Sequence, residues 1–437
     1  MKLTHIFLTC TSIGLTINAT SPHVGSNTQS TSEIVTDYSK SLSLSELTNL
    51  AFKNSLVLKS SYLNWQSELL RVYAKGTLPD PQISFTHYID EVETRVGPQK
   101  QAISIMQKFP WFGKIELNKA MQSERAKVAE AEFKHEKLNV LSQVEKLYFD
   151  TVYVKEALRI NEENQTLLKS FEPISRNKIR TGGNLTDLLK IQMEIGKTEN
   201  RVAELKLRLK PLKERLNEIL DYPSGFPLKL SHAKPKTMAL DSKKLYAKLK
   251  SSPSIQKINH LSEALRQQSN IDHKNSYPDF SIGIKYIRTS SSDMNVDDNG
   301  KDPIMATIGL TIPINQKKYR HRRLATLRQI DSVEYQKAQK LRSLESDLAI
   351  ALYELEDKER ALKLYKYTLI PKNEESLKLT MESYKTGKSR FIEIIDLQRQ
   401  LLEFQLMELK AENEIYKQYS EIQALTSSVL MEEKKNE

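Results

Sequence analysis

This chain of 437 residues has only 13 glycines and carries charge at 28% of its positions, a balance that excludes a string of compact, loop-rich domains. Hydrophobic residues make up 39%, which suits long amphipathic helices that each bury one stripe. The net charge of +11 would fit nucleic acid or an anionic membrane surface, but Lys and Glu are interleaved along the helical stretches, so solvated helix faces account for it.

Residues 1–19 read as an export signal: Lys2 is the basic start, Ile6 to Ile17 the apolar stretch, and Ile17-Asn18-Ala19 a small-residue cleavage site. Cys10 is the only cysteine, and a lipid-attachment site there would leave a signal too short to fit well. Cleavage after Ala19 removes any disulfide. Residues 20–42, rich in Ser and Thr, are expected to be flexible. A first repeat, 43–225, then begins with a helix from Leu44 to Lys75, stopped by Leu78-Pro79-Asp80-Pro81. Strands at 82–89 and 102–109 follow, then a helix from Gly113 to Arg180, a turn at Thr181-Gly182-Gly183-Asn184, and a helix from Leu185 to Leu220. Residues 226–242 form a linker. The second repeat, 243–430, has a helix at 243–275, strands at 279–288 and 304–314, and helices at 319–385 and 389–429, leaving a tail at 431–437. Pro173, Pro211 and Pro371 fall inside helices and are expected to kink or break them.

The two repeats say nearly the same thing. Pro79-Asp80 returns as Pro278-Asp279, the strand Ile103 to Pro110 as Ile308 to Pro313, and Thr181-Gly182 as Thr386-Gly387. The unit is far longer than a solenoid repeat. The helix 114–180 would span roughly 100 Å, and the two shorter helices of each repeat, end to end, about as much. Helix 185–220 carries an unbroken alternation of three and four from Leu188, Ile191 and Ile195 to Leu216 and Ile219. Helix 389–429 keeps it from Ile394 to Leu425, with Glu408 and Gln418 as polar interruptions.

The strands carry the functional clue. Phe280, Ile282, Ile284 and Tyr286 share one face and Ser281, Gly283 and Lys285 the other; Ala306, Ile308, Leu310, Ile312 and Ile314 oppose Met305, Thr307, Gly309 and Thr311. Ile83, Phe85, Ile89, Ile103, Ile105 and Phe109 repeat the pattern more loosely. Such strands suit either a tilted bilayer crossing or hairpins lying on a soluble core. Four strands cannot close a membrane barrel, for which about eight is the minimum, and open edges are not tolerated in lipid. If these strands enter a membrane, several copies must pool them; three copies of four strands give twelve, continued by a helical tube.

In this order and spacing the chain, from Leu44 to about Ser428, resembles the TolC-like outer-membrane efflux proteins. The resemblance is carried by Leu44-Ser45-Glu46-Leu47, Leu78-Pro79-Asp80-Pro81, Phe109-Pro110-Trp111-Phe112-Gly113-Lys114, and Tyr384-Lys385-Thr386-Gly387 leading to Asp396-Leu397-Gln398. It implies a mainly α fold with a small β part: internally duplicated helical hairpins forming a periplasmic tunnel, and four strands per protomer contributing to a trimeric, twelve-stranded transmembrane barrel. It implies a homotrimer in the Gram-negative outer membrane, conducting small molecules or ions delivered by an inner-membrane pump and a periplasmic adaptor. Phe109 to Lys114 is similar to the segment of the heavy-metal efflux branch, which tilts the cargo toward metal cations. The family's entrance carboxylates match Glu393 and Asp396; by internal repeat Asp187 corresponds to Glu393, while Lys190 replaces Asp396. Threefold symmetry would turn each into a ring favouring cations, the alternative being ordinary solvent-facing helix charges.

Other features fit no separate activity. Lys317 to Arg323 looks like a nucleic-acid patch, but it follows a predicted membrane strand, so anionic headgroups or tunnel packing suit it better. The loop Asp293 to Asp302 faintly resembles a calcium loop but has Ala306 where the closing Glu should stand. The eight histidines lack metal-ligand spacing, and no phosphate-cradling loop or nucleophile–base pair is present, so neither a cofactor nor catalysis is expected. The rival reading is an exported coiled-coil rod or adaptor without a channel, which needs no duplicated amphipathic strands.

Overall fold

The computed structural model describes residues 41–180, 184–232, 234–294, 297–386, 388–428 and 431–432. The expected export signal, Cys10, the segment up to residue 40, the turn residues 181–183 and 387, and the tail from 433 lie outside the described residues.

The element order runs twice. The first pass is α1 (Leu44–Asn54), α2 (Leu56–Lys75), β1 (Gln82–Val92), β2 (Gln99–Phe109), α3 (Lys114–Ile179) and α4 (Leu185–Ile219). After a short strand, β3 (Lys236–Thr237), the second pass is α5 (Ser242–Leu249), α6 (Pro253–Lys274), β4 (Asp279–Thr289), β5 (Ile304–Thr311), α7 (Gln316–Leu364), a π-helical turn (Tyr365–Leu369), α8 (Ile370–Lys385) and α9 (Phe391–Thr426). The strand β6 (Met431–Glu432) closes the chain by pairing with β3.

The leading helix of each pass is two helices rather than the one expected. Ser43 and Glu46 cap α1 reciprocally, each side chain accepting from the other's backbone N–H at 3.2 and 2.9 Å. That helix ends at Ser55, whose backbone turns to an extended ψ of 120° before α2 starts. In the second pass the break falls at Ser252, and Pro253 opens α6 from its first turn, where its missing N–H costs nothing. The prolines expected to disrupt helices behave differently. The α3 and α4 helices run without a break through Pro173 and Pro211. Before Pro371 the backbone widens into the π turn, where the Ile370 N–H bonds the Tyr365 carbonyl, and the helical path continues.

Gly113 makes the sharp entry into α3 at φ 82°, a left-handed conformation that a side chain would strain. From there α3, 66 residues long, is a rod of about 100 Å along which the other helices pack. Near the sheet, Met121 meets Ala264 and Ile271 of α6. At mid-length the main core gathers Val144, Tyr148 and Phe149 with α1, the end of α4, α7 and α9. Further along, Val154 and Ala157 meet Leu205, and at the far end Leu168 and Phe171 join Ile191, Ile195, Phe391, Ile394 and Ile395. The α4 stripe expected from the sequence is buried from Leu188 through Leu205 and again at Leu216. In α9, Ile394, Leu401, Ala411, Ile415 and Ile422 are buried. Gln418, a polar interruption, is satisfied by donating to Glu354 Oε2 at 2.6 Å.

At the other end of α3 the four long strands form one antiparallel sheet in the order β1-β2-β4-β5. Each hairpin pairs within its own repeat, and β2 joins β4 between repeats. The edge strands β1 and β5 have no outer partner among the described residues.

Candidate functional site

Strand register lines up the apolar residues in rows across the sheet. Ile83 faces Ile105, which faces Ile284, which faces Ala306; Phe85, Ile103, Tyr286 and Ile304 form the next row. Phe109, Phe280 and Leu310 form another, with the two phenylalanine rings stacked at 5.6 Å. These rows are not covered by the chain's own helices: Ile284 is 56% exposed and Ile308 79%. Immersing a large apolar side chain in water forfeits about 1.5–3 kcal/mol relative to burying it, so a dozen on one face define a surface made for a non-aqueous neighbour.

The opposite face of the sheet is more polar, with serine, threonine, lysine and glycine beside Met106 and Met305. Ser84 and Ser104 hydroxyls bond across the strands at 2.6 Å. Ser104 faces Lys285, and Met106 faces Gly283, which faces Thr307. A side chain at Gly283 would come within 3.0 Å of the Ile105 carbonyl oxygen, so the strands there demand the smallest residue. Among the described residues no helix is long and apolar enough to cross a membrane.

The junction between sheet and helices is fixed by charge. Asp279 Oδ1 accepts from the Trp111 N–H at 2.8 Å and from the Lys114 ammonium at 2.7 Å, and Lys108 stands 3.5 Å from the other oxygen. Trp111 stacks on Tyr277 at 5.4 Å. The Pro278-Asp279 motif was visible in the sequence, but its partners, more than a hundred residues away, were not.

The three candidate entrance carboxylates all stand at the opposite end, in the opening turns of α4 and α9. Asn184 caps α4 by accepting from the Thr186 N–H at 2.9 Å, with Asp187 in the first turn. Glu393 lies in the first turn of α9 and Asp396 follows it on the exposed side. The helices are brought together by the apolar cluster of Ile191, Ile195, Phe391, Ile394 and Ile395. Sequence reasoning overlooked that each α9 carboxylate has its own cation: Arg390 reaches Glu393 at 3.3 Å and Arg399 reaches Asp396 at 3.4 Å. The three-residue spacing on one helix was the available signal. It also overlooked the Lys178 ammonium, 4.0 Å from the centre of the Tyr384 ring, and the edge-to-face contact of Phe171 with Phe391 at 5.5 Å. No group of three or more His, Cys, Asp or Glu able to hold a metal occurs among the described residues.

A third polar feature, also unread in the sequence, sits mid-rod. Glu145 of α3 is only 5% exposed. Gln423 donates to its Oε1 at 3.1 Å, while Oε2 has no hydrogen-bond partner. Burial pushes its carboxyl up to about 7, against the opposing pull of the Ser420 and Gln423 hydrogen bonds and the neighbouring Lys146.

Rods of stacked helices ending in a four-stranded sheet with one lipid-like face define the TolC-like channel fold. The solved channel CusC superposes with a TM-score of 0.76 at 15% identity, covering 88% of this chain and 91% of that one. The outer membrane protein VceC of Vibrio cholerae gives 0.73 at 12% identity, over 88% and 96% of the two chains. The MtrE channel of Neisseria gonorrhoeae gives 0.70 at 15%, over 88% of each. Likeness at this identity establishes the fold alone. No curated protein sequence matches the chain. Residues 245–428 match the family described as outer membrane efflux protein. That match falls on the second repeat, while the TolC-like fold runs through both repeats.

Proposed function

We propose that this chain is the outer-membrane exit duct of a tripartite efflux system. Three copies close a twelve-stranded barrel in the outer membrane of a Gram-negative cell and extend a helical tunnel into the periplasm, toward an adaptor and an inner-membrane pump. The observation that carries this reading is the sheet itself. It has one exposed apolar face, a more polar face and two edges unpaired among the described residues, a combination suited to copies that close the edges in lipid. A soluble rod or adaptor gives that face nothing to cover it. Conduction is proposed to be passive, and the cargo proposed is metal cations. Support for the cargo comes from the Phe109 to Lys114 resemblance and from Asp187, Glu393 and Asp396 at the far helix tips, which threefold symmetry would array around the entrance. The Arg390 and Arg399 pairs are exposed and worth only about 0.3–0.5 kcal/mol each, so both carboxylates can turn toward a passing cation.

The test is single-channel recording with the purified protein in a planar bilayer. The expected result is a trimer that conducts and is blocked by divalent cations from the tunnel side. The variant carrying Glu393→Ala and Asp396→Ala should need roughly threefold or more of the divalent ion for the same block. Unchanged block overturns the carboxylate ring; a soluble, non-conducting monomer overturns the channel.

A further inference from the structure

The chain holds one complete sheet–helix junction and the two separated halves of another. In the complete one, Lys114 and Asp279 are paired largely out of water, their side chains 8% and 18% exposed. The sequence supplies both partners again. Asp80 follows Pro79 as Asp279 follows Pro278, and Lys317 stands as far beyond Pro313 as Lys114 does beyond Pro110. Strand register makes the correspondence structural. Ile83 faces Ile105 in the first hairpin as Ile282 faces Ile308 in the second, and Gln82 faces Met106 as Ser281 faces Gly309. But Asp80 precedes β1 and Lys317 follows β5, the strands at opposite edges of the sheet. Neither the Asp80 carboxylate nor the Lys317 ammonium has a partner among the described residues. The flanking aromatic stack is likewise split. Leu78 occupies the place of Tyr277 and Ile314 that of Trp111, and both are left exposed, Ile314 by 89%.

We propose that Asp80 of one copy pairs with Lys317 of a second copy, across a β5–β1 seam whose register repeats that of β2 with β4. Within the chain, Ile105 faces Ile284 and Gln107 faces Ile282. The repeat carries these pairings to Ile308 opposite Phe85 and Leu310 opposite Ile83 of the neighbouring copy. All four side chains are exposed and on the apolar face, so the seam continues these two apolar rows. A seam slipped by one residue would turn one strand's apolar set to the wrong face. Ile314 closing on Leu78 of the second copy removes the apolar surface that Trp111 and Tyr277 remove within the chain. The outer helices carry matching exposed apolar residues, Leu63 and Leu70 on α2 and Leu324 and Leu327 on α7, at the two flanks this contact brings together. The inference rests on the ring assembly proposed above and adds to it a register and an ion pair.

Two measurements on the full-length protein in native membranes test it. Residues directly opposite in an antiparallel pair lie roughly 4.5–5.5 Å apart at Cα, within disulfide range, whereas a shift of four residues separates them by roughly 13 Å. Phe85→Cys combined with Ile308→Cys should therefore give covalent dimers and trimers on oxidation, and Phe85→Cys combined with Ile304→Cys should not. Separately, Asp80→Lys or Lys317→Asp alone should shorten the half-life of the heat-dissociated trimer by about tenfold or more, and the two together should restore it. Trimers that crosslink through the shifted pair overturn the register. Trimers whose double charge reversal is as short-lived as the single ones overturn the ion pair while leaving the ring intact. Absence of any trimer in the unsubstituted protein overturns the ring reading and this inference with it.

Discussion

The sheet and the helical rods solve opposite problems with the same residue types. Along α4, α7 and α9 one apolar stripe, with Ile191, Leu205, Leu348 and Ile422 in it, turns inward, and most charged residues meet water. Across β1, β2, β4 and β5 most isoleucines are exposed on one face, and serine, threonine, glycine and lysine stand with Met106 and Met305 on the other. The difference shows that burial is defined by the solvent: the helices hide an apolar stripe from water, whereas the sheet leaves its apolar rows exposed, as the proposed barrel in lipid requires. The boundary between the two regimes is sharp. It falls at the Asp279–Lys114 junction, within a few residues of the last exposed strand position.

This contrast can be broken from the helical side first. Leu348 is fully buried in the main core, and Leu348→Ala should cost about 2–5 kcal/mol, read as a lower thermal unfolding midpoint in detergent. Ile308→Ala, an equal kind of truncation on the sheet, should leave that midpoint nearly unchanged, because lipid or detergent refills the space. From the sheet side, Ile284→Lys should cost about 2–4 kcal/mol if the face lies near the bilayer centre, and should sharply reduce membrane-assembled trimer. Thr307→Lys, on the polar face, should assemble as the unsubstituted protein does. Similar loss from both lysines would mean that the two faces do not differ in environment.

The smallest effect concerns Glu145, the polar group that breaks the inward-apolar rule of the rods. Its carboxyl is raised to about 7 in the fold, so the folded state holds a proton that the unfolded chain releases near the ordinary carboxylate range. The stability this contributes is fully present at acid pH and is lost as pH rises through about 7. The unfolding midpoint should therefore fall between pH 5 and pH 8, by up to about 3 kcal/mol in stability, and Glu145→Gln should flatten that slope. An unchanged slope in the variant would place the titrating group elsewhere.

Much of this was legible in the sequence because it is periodic. Alternation by two marked the strands and their apolar face, and spacing by three and four marked the helical stripes, so both the elements and their inward or outward sense could be read. The helix breaks at Ser55 and Ser252 were missed for different reasons. Ser252-Pro253 carries a local signal that was read through, whereas Ser55 has no proline or glycine beside it, and packing against the rest of the chain sets its turn. Pro173 and Pro211 misled in the other direction, their helices running on unbroken, while at Pro371 the expected local interruption is the π turn. Asp279 and Glu145 show the harder limit. Each looks like any carboxylate in a charged chain, and only folding brings Lys114 to one and removes water from the other. At the far tip, Asp187, Glu393 and Asp396 were found by repeat and resemblance, while Arg390 and Arg399 were overlooked although local spacing pointed to them.

The central claim is that one face of the sheet meets lipid and the other meets water. Spin labels on single cysteines at Ile282, Ile284 and Ile308, compared with Ser281, Lys285 and Thr307, measure this directly in native membranes. Labels at the first three positions should be accessible to oxygen and shielded from a water-soluble nickel reagent, with the reverse at the second three. Labels that respond alike on both faces would contradict it.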